Sequence, residues 1–511
     1  MTHITTPLPE VHRHLSAAAA RRLLGTWRRS GPVRTSSYAD LAGAMRAAIL
    51  SGTLAANTRL PSERELAVEL GVSRTTTAAA YRKLRDRGFA VSRTGVGTIT
   101  VLPRRSEQPV LPRTHGGDAP VAHPPAREGT RRLVGPGGVA VPDDAAVIDL
   151  SQAAPAAPAA LHDAYRRALE SLPAYLGGIG YEPRGIYALR SAIAERLTER
   201  GTRTDPDQIL ITSGAQHALT TIVAELTGRG DRVGVQSPTY AHAIETVRGS
   251  GARVVGVPVG TPGGAGGSPF DVDLLESTVR RTTPRLVYLV PDHHNPTGYS
   301  LTAQERAQVR SIARRHHTVV VADETLTDLT LDGPEPTPFA GDGSDTTNVI
   351  TVGSASKTFW GGLRVGWVRA DVETVRRLAR RRETVDIATS VVEQLVVVEL
   401  LAERESILAT RRSRLRSQRD ALVDGLRSAV PEWSVPRPAG GLSLWIALGA
   451  PVARDLSVAA AERGVLVNPG TALTPDGSHA DYLRATFAPR EDLLTEAVPR
   501  LAAAWRAVVD G

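Results

Sequence analysis

The chain has 511 residues, 41% of them hydrophobic and 22% charged, with a formal net charge of +8 and no cysteine. That length exceeds one ordinary core and predicts two or three domains, while the lack of cysteine excludes disulfides, thiolate zinc sites and thiol nucleophiles and fits a reducing cytoplasm. No apolar run approaches the roughly 18 residues of a membrane helix, and the start does not read as a signal peptide, because Ala17 to Ala20 is too short an apolar core and arginines follow it.

Residues 1–103 hold fifteen Arg and Lys against six Asp and Glu, a net +9, which leaves the remainder near −1. The basic character therefore belongs to the first fifth of the chain and directs a polyanion partner to that part alone. Residues 1–33 read as a basic extension. Arg21, Arg22, Arg28 and Arg29 surround Leu23, Leu24 and Trp27, which suits either an amphipathic arm or a helix packed on its neighbour.

From Tyr38, the residues Leu41, Met45, Ala48 and Ile49 recur at helical spacing, and Gly52 ends the segment. Ser62 and Glu65 form a capping box for a second helix with Leu66 and Leu70 on one face, stopped by Gly71. Ser73 caps a third helix predicted over 74–87, with Tyr81 and Leu84 inward. This is a helix-turn-helix, and it sets Arg74, Thr75 and Thr76 at the start of a recognition helix. Phe89 to Val101, with Gly95 and Gly97 near its tip, predicts a two-stranded wing.

The runs LPSERELA (60–67), GVSRTT (71–76) and GVGT (95–98) make residues 34–103 resemble the DNA-binding domain of the GntR family, a winged helix-turn-helix. The resemblance implies that Arg64, Ser73, Arg74, Thr75 and Thr76 meet double-stranded DNA and that Gly95 enters the minor groove. Arginine reads guanine edges or phosphate, and hydroxyls and helix-start amides hold phosphates.

Residues 104–146 are rich in Pro, Gly, Arg and Ala without periodicity and read as a flexible linker. A coil of that length reaches roughly 35 Å. Beyond it, apolar runs over 208–212, 232–236, 285–290, 318–322 and 348–352 alternate with helical stretches such as 215–226 and 302–316. The alternation predicts an α/β unit with a mainly parallel sheet, whose ligands bind beyond the carboxyl ends of its strands.

The polar residues fall at those ends. Ser213-Gly214-Ala215-Gln216 opens a helix whose amides suit a phosphate, and Tyr240 offers a ring to a flat ligand. Asn295 follows the third strand and Asp323 ends the fourth. His293 and His294 lack partners at metal-ligand spacing, so no metal is expected. After the fifth strand comes Lys357, one of only two lysines in the chain (Lys83 is the other), flanked by Ser354, Ser356 and Arg364. Where arginine serves for charge everywhere else, a lysine suggests amine chemistry, since only lysine readily loses its proton and forms a Schiff base.

In order, Asn295-Pro-Thr-Gly, Asp323, Ser354-x-Ser-Lys357 and Arg364-x-Gly366 resemble the fold-type I aminotransferases that use pyridoxal 5′-phosphate. The resemblance implies a large domain over 147–385 and a smaller α+β domain over 386–511. It implies that Lys357 carries the cofactor as an aldimine, Asp323 pairs with its ring nitrogen, Asn295 bonds its phenolic oxygen and Tyr240 stacks on its ring. Ala215, Gln216, Ser354, Ser356 and Arg364 would take its phosphate, and Arg484 a substrate carboxylate. One departure stands out: the family's tyrosine two or three residues after the aspartate is replaced by Thr325 and Leu326.

A GntR-like domain linked to an aminotransferase-like domain resembles the MocR group of transcriptional regulators. That resemblance implies a cytoplasmic head-to-tail homodimer that senses pyridoxal phosphate or an amine or amino-acid effector through Lys357. The alternative is an active aminotransferase carrying a DNA-binding domain. The missing tyrosine and the basic first domain favour the regulator.

Overall fold

The computed structural model describes residues 13–24, 27, 37–50, 54, 58–87, 89–93, 97–101, 147–260, 269–344 and 348–510. The predicted linker over 104–146 and the wing residue Gly95 lie outside the described residues, as does much of the extension over 1–33. The chain divides into two compact units, Met1–Gly129 and Thr130–Asp510. Among the described residues no helix is long and apolar enough to cross a membrane.

The first unit contains β1 (Arg13–His14), α1 (Ala17–Leu24), α2 (Ser37–Leu50), β2 (Thr58–Arg59), α3 (Glu63–Leu70), α4 (Arg74–Asp86), β3 (Ala90–Arg93) and β4 (Gly97–Thr100). The capping box is present: Glu65 N donates to Ser62 Oγ at 3.2 Å, and Ser62 N donates to Glu65 Oε2 at 2.9 Å. Gly71 adopts φ 64° and closes α3, a left-handed conformation that glycine takes without steric cost. Leu41, Met45, Leu66, Tyr81 and Leu84 form the core. Ala20 joins that core and Leu23, Leu24 and Trp27 pack against it, so α1 is a packing helix rather than a free arm.

The second unit begins with β5 (Ile148–Asp149), α5 (Leu161–Ser171) and α6 (Tyr187–Glu199). It continues β6 (Ile209–Thr212), α7 (Ala215–Leu226), β7 (Arg232–Ser237), α8 (Ala241–Gly249), β8 (Arg253–Pro258), α9 (Val272–Thr282), β9 (Leu286–Leu289), α10 (Ala303–Arg315), β10 (Val319–Asp323), β11 (Val349–Ser354), α11 (Ala355–Thr358) and β12 (Gly366–Arg369). Seven of these strands form one sheet in the order β6-β12-β11-β10-β9-β7-β8. All run parallel except β12, which is antiparallel to both β11 and β6. The strands read ILIT, LVYL and VVVAD, buried runs of the β-branched and aliphatic residues that a sheet covered on both faces requires. Apolar clusters lie on its two faces, one around Ile222 and Val235, the other around Ile193, Ile211 and Phe359.

After α12 (Val372–Glu383), α13 (Val391–Ala402) and α14 (Arg404–Ala429) come β13 (Ser443–Ala447), α15 (Ala453–Glu462), β14 (Val465–Leu466), β15 (Asn468–Pro469), β16 (Tyr482–Thr486) and α16 (Glu491–Val509). β13, β16 and β15 make an antiparallel sheet, and β14 pairs in parallel with β5. This pairing brings Ser151 to Ala153, just after β5, beside the C-terminal strands. There Ser151 O accepts from both Asn468 Nδ2 and Arg484 Nη1.

Candidate functional site

Because β6, β7, β9, β10 and β11 are parallel, their carboxyl ends share one edge of the sheet. A cavity of about 300 Å³ opens at that edge. Its lining includes all the residues singled out at the strand ends: Ala215, Gln216, Tyr240, Asn295, Asp323, Ser354, Ser356, Lys357, Arg364 and Arg484.

Lys357 sits on the one-turn helix α11, which Ser354 caps by accepting from Ser356 N at 3.1 Å. The Ser354 hydroxyl donates to Val365 O at 3.3 Å, so it holds the turn together as well as lining the cavity. Lys357 Nζ donates to Ala153 O at 2.6 Å. Burial, then the nearby Arg484 and Arg364, outweigh the pull of Asp323 and bring the amine down to about 8. A lysine with that pKa is neutral in useful proportion near neutrality.

Asp323 is 8% exposed, and both its oxygens hold donors. Oδ2 accepts from the Tyr288 hydroxyl at 2.6 Å and Oδ1 from Thr325 N at 3.0 Å. Burial and the facing carboxylate push the Tyr288 phenol well above its ordinary value, so it stays a donor.

The cup opposite is backbone. Gly214 precedes α7 at φ 92° with no side-chain cap, leaving the amides of Ala215 and Gln216 pointing outward from a helix N-terminus. A Cβ on Gly214 would stand 2.6 Å from Arg364 Nη2, and one on Gly366 2.7 Å from Ala215 N. These two glycines let Arg364 reach Ser213 O at 2.9 Å. Behind the cup, Ser213 Oγ donates to Asp386 Oδ2 at 2.7 Å, and the buried Arg382 grips the same carboxylate. Gln216 turns its amide nitrogen away, to Thr246 Oγ1 at 2.7 Å.

Two groups wait for partners. Asn295 Oδ1 is buried without a hydrogen bond. Arg484 is 5% exposed, bonds Ser443 Oγ at 3.0 Å and Ser151 O at 2.9 Å, and has no carboxylate in contact among the described residues. Burial lowers it to about 10, the mark of a guanidinium short of a counter-charge. The adjacent histidines are ordinary buried ones: His294 Nδ1 meets Thr297 Oγ1 at 2.9 Å and His293 Nε2 meets Thr330 Oγ1 at 2.8 Å. Burial drops them to about 3 and about 4, so both are neutral.

Sequence reasoning did not find Tyr288, Asn468, Ser151 or Asp386. Tyr288 lies in a strand that reads as core, and the others are brought in from far along the chain.

In the first unit Arg64, Arg74 and Thr75 are exposed at the turn between α3 and α4. Ser73 turns its hydroxyl to the helix instead, accepting from Thr76 N at 3.1 Å and bonding the Thr75 and Thr76 hydroxyls at 2.7 and 2.8 Å. It orders the helix start that presents Arg74.

The sequence model of the family described as "Aminotransferase class I and II" matches residues 159–501, and that of "Bacterial regulatory proteins, gntR family" matches residues 37–99. The uncharacterized HTH-type transcriptional regulator YisV of Bacillus subtilis (strain 168) is 28% identical over 483 residues, covering 92% of this chain and 96% of that protein. A 2-aminoadipate transaminase of Thermus thermophilus is 31% identical over 336 residues, covering 64% of this chain and 82% of its own length. The crystal structure of LysN, an alpha-aminoadipate aminotransferase from Thermus thermophilus complexed with N-(5′-phosphopyridoxyl)-L-leucine, superposes with a TM-score of 0.65 at 28% identity. That match covers 71% of this chain and 93% of LysN.

Proposed function

Because the chain belongs to the aminotransferase class I and II family and carries a gntR-family domain ahead of that region, we propose that it is a DNA-binding transcriptional regulator whose second unit senses pyridoxal 5′-phosphate, or an amine-bearing ligand that reacts at Lys357. The observation that carries the reading is a lysine and carboxylate pocket kept whole in a chain that also holds a helix-turn-helix. Alignment of both units together with a protein named as a transcriptional regulator supports it.

The residues present fit the cofactor. The uncapped α7 amides behind Gly214 suit its phosphate, together with Ser354, Ser356 and Arg364. The unpartnered Asn295 Oδ1 suits a hydroxyl donor on the ring, Asp323 the ring nitrogen, Tyr240 the ring face and the Lys357 amine its aldehyde. When bound, the cofactor supplies an aldehyde that reacts reversibly with primary amines and a ring that withdraws electrons.

The chain supplies everything else. Tyr288 and Thr325 hold Asp323 ionised and fixed in plane. Arg484 offers a buried guanidinium to the carboxylate of an amino-acid effector. Lys357, freed by a competing amine, loses or regains its contact with Ala153 next to β5. A difference in contacts of this kind is what shifts a population between two states. On this reading the protein acts in the cytoplasm on double-stranded DNA as a head-to-tail homodimer.

Operator DNA binding titrated with pyridoxal phosphate, and then with candidate amines, tests the proposal. Cofactor-dependent affinity that Lys357→Ala abolishes supports it; affinity indifferent to cofactor and amine sinks it. A second reading, an active aminotransferase, is favoured by the unpaired guanidinium of Arg484 and by the likeness to a transaminase. Multiple turnover of an amino acid with an oxo acid would move the assignment there.

A further inference from the structure

The exposed face of α4 carries a pattern that the helix-start residues leave unused. The helix buries Thr77, Ala80, Tyr81 and Leu84. At about 100° per residue, the opposite face runs through Thr75, Ala78, Ala79 and Arg82. From Thr75 to Tyr81 no residue is charged, whereas Arg74, Arg82, Lys83, Arg85 and Asp86 all are.

The basic residues of the second half differ in what they do. Lys83 Nζ lies 5.6 Å from the centre of the Tyr38 ring, and Arg85 donates to Ser92 Oγ at 3.2 Å, so both are tied to the domain. Arg82 is exposed and makes no ion pair among the described residues, as is also true of Arg74. Eight residues separate these two arginines, about 12 Å along the axis. Two methyl groups therefore stand between two available guanidinium groups on one face.

Solvent faces elsewhere in the chain are built differently: α12 exposes Arg376, Arg377, Arg380 and Arg381. A bare alanine pair suits a surface that is covered when the helix works. In the major groove the apolar feature is the C5-methyl of thymine, which small apolar side chains meet directly. We infer that Ala78 and Ala79 read thymine methyl groups in the DNA site, between Arg74 and Arg82, which anchor on guanine edges or phosphates at either end. The inference rests on the reading that α4 enters a major groove, and it adds what is read there.

The test begins with full-length protein selecting its site from a random duplex library. Each thymine of the selected half-site is then replaced by uracil, which pairs alike but lacks the methyl group. Binding should fall about three- to fivefold at one or two adjacent positions, the worth of a buried methyl. That loss should disappear in Ala78→Gly or Ala79→Gly, and in the serine variants that disturb the helix less, which completes a double-mutant cycle. Uracil that is neutral at every position, or a loss of equal size in all four variants, overturns the inference while leaving DNA recognition by α4 intact. A library that yields no preferred sequence overturns both.

Discussion

The Tyr288 hydroxyl donates to Asp323 Oδ2 across 2.6 Å, from β9 to the adjacent parallel strand β10. With Thr325 N on the other oxygen at 3.0 Å, the carboxylate is fixed in orientation before any ligand arrives. Such preorganisation matters because a site about 1 Å too loose loses most of its affinity. Tyr288→Phe removes one donor and leaves a buried carboxylate oxygen bare. Unfolding by denaturant should show a loss of about 1–3 kcal/mol. Cofactor affinity, measured by fluorescence titration, should weaken severalfold while operator affinity of the cofactor-free protein stays unchanged.

Gly214→Ala acts on the cup rather than the carboxylate. Its Cβ would fall 2.6 Å from Arg364 Nη2, at a φ of 92° that L side chains rarely adopt. Arg364 must then leave Ser213 O, and the α7 amides shift with the strained turn. Cofactor binding should drop at least about tenfold, since a positive φ costs a non-glycine residue roughly 1–2 kcal/mol before the clash is counted. Cofactor affinity equal to that of the parent would show that the cup is not the phosphate site.

These two residues also show what the sequence made legible. Strand ends could be read because each β-branched run stops at a small or polar residue, as Thr212-Ser213-Gly214 and Ala322-Asp323 do. Lys357 could be read because only one other lysine exists. Caps are local, and Ser62, Glu65 and Ser73 were visible as such. The Tyr288 to Asp323 contact was not, because it depends on which strands neighbour each other. The Ser213 to Asp386 and Ser151 to Asn468 contacts span 173 and 317 residues and carry no local mark. Nor does arginine content announce burial. Arg306, Arg369 and Arg382 are among the largest fully buried side chains, each held by carbonyl, hydroxyl or carboxylate oxygens that only the fold supplies.

Lys357 should leave a signature in stability as well as in ligand binding. Its folded pKa of about 8 lies below the ordinary 10.5, so between these values the unfolded chain holds a proton that the folded chain does not. Stability therefore rises with pH through that window, and the full penalty applies below about pH 8. Lys357→Met, close in volume and uncharged, should stabilise the cofactor-free protein at pH 7 by up to about 3 kcal/mol. The gain should shrink above pH 8 and vanish near 10.5, where both forms of the parent are neutral. Denaturation of parent and variant at several pH values measures this directly. A constant difference across the window would mean that the folded amine is not depressed.

Arg484 separates classes of effector. Its guanidinium is buried and held by Ser443 Oγ and Ser151 O, with no carboxylate touching it among the described residues. Removing a buried charge that has no counter-ion need not harm the fold, so Arg484→Gln should remain stable, with the amide still able to bond Ser151 O. Its effect should fall on ligands. A carboxylate that gains a charge-assisted bidentate pair draws on the order of 2–4 kcal/mol from it, about 30- to 1,000-fold in affinity. An α-amino acid should therefore lose its influence on operator binding in the variant, while a plain amine of similar size keeps it. Equal losses for both ligands would place Arg484 in the frame of the pocket rather than opposite a carboxylate, and the effector would then be sought among amines without one.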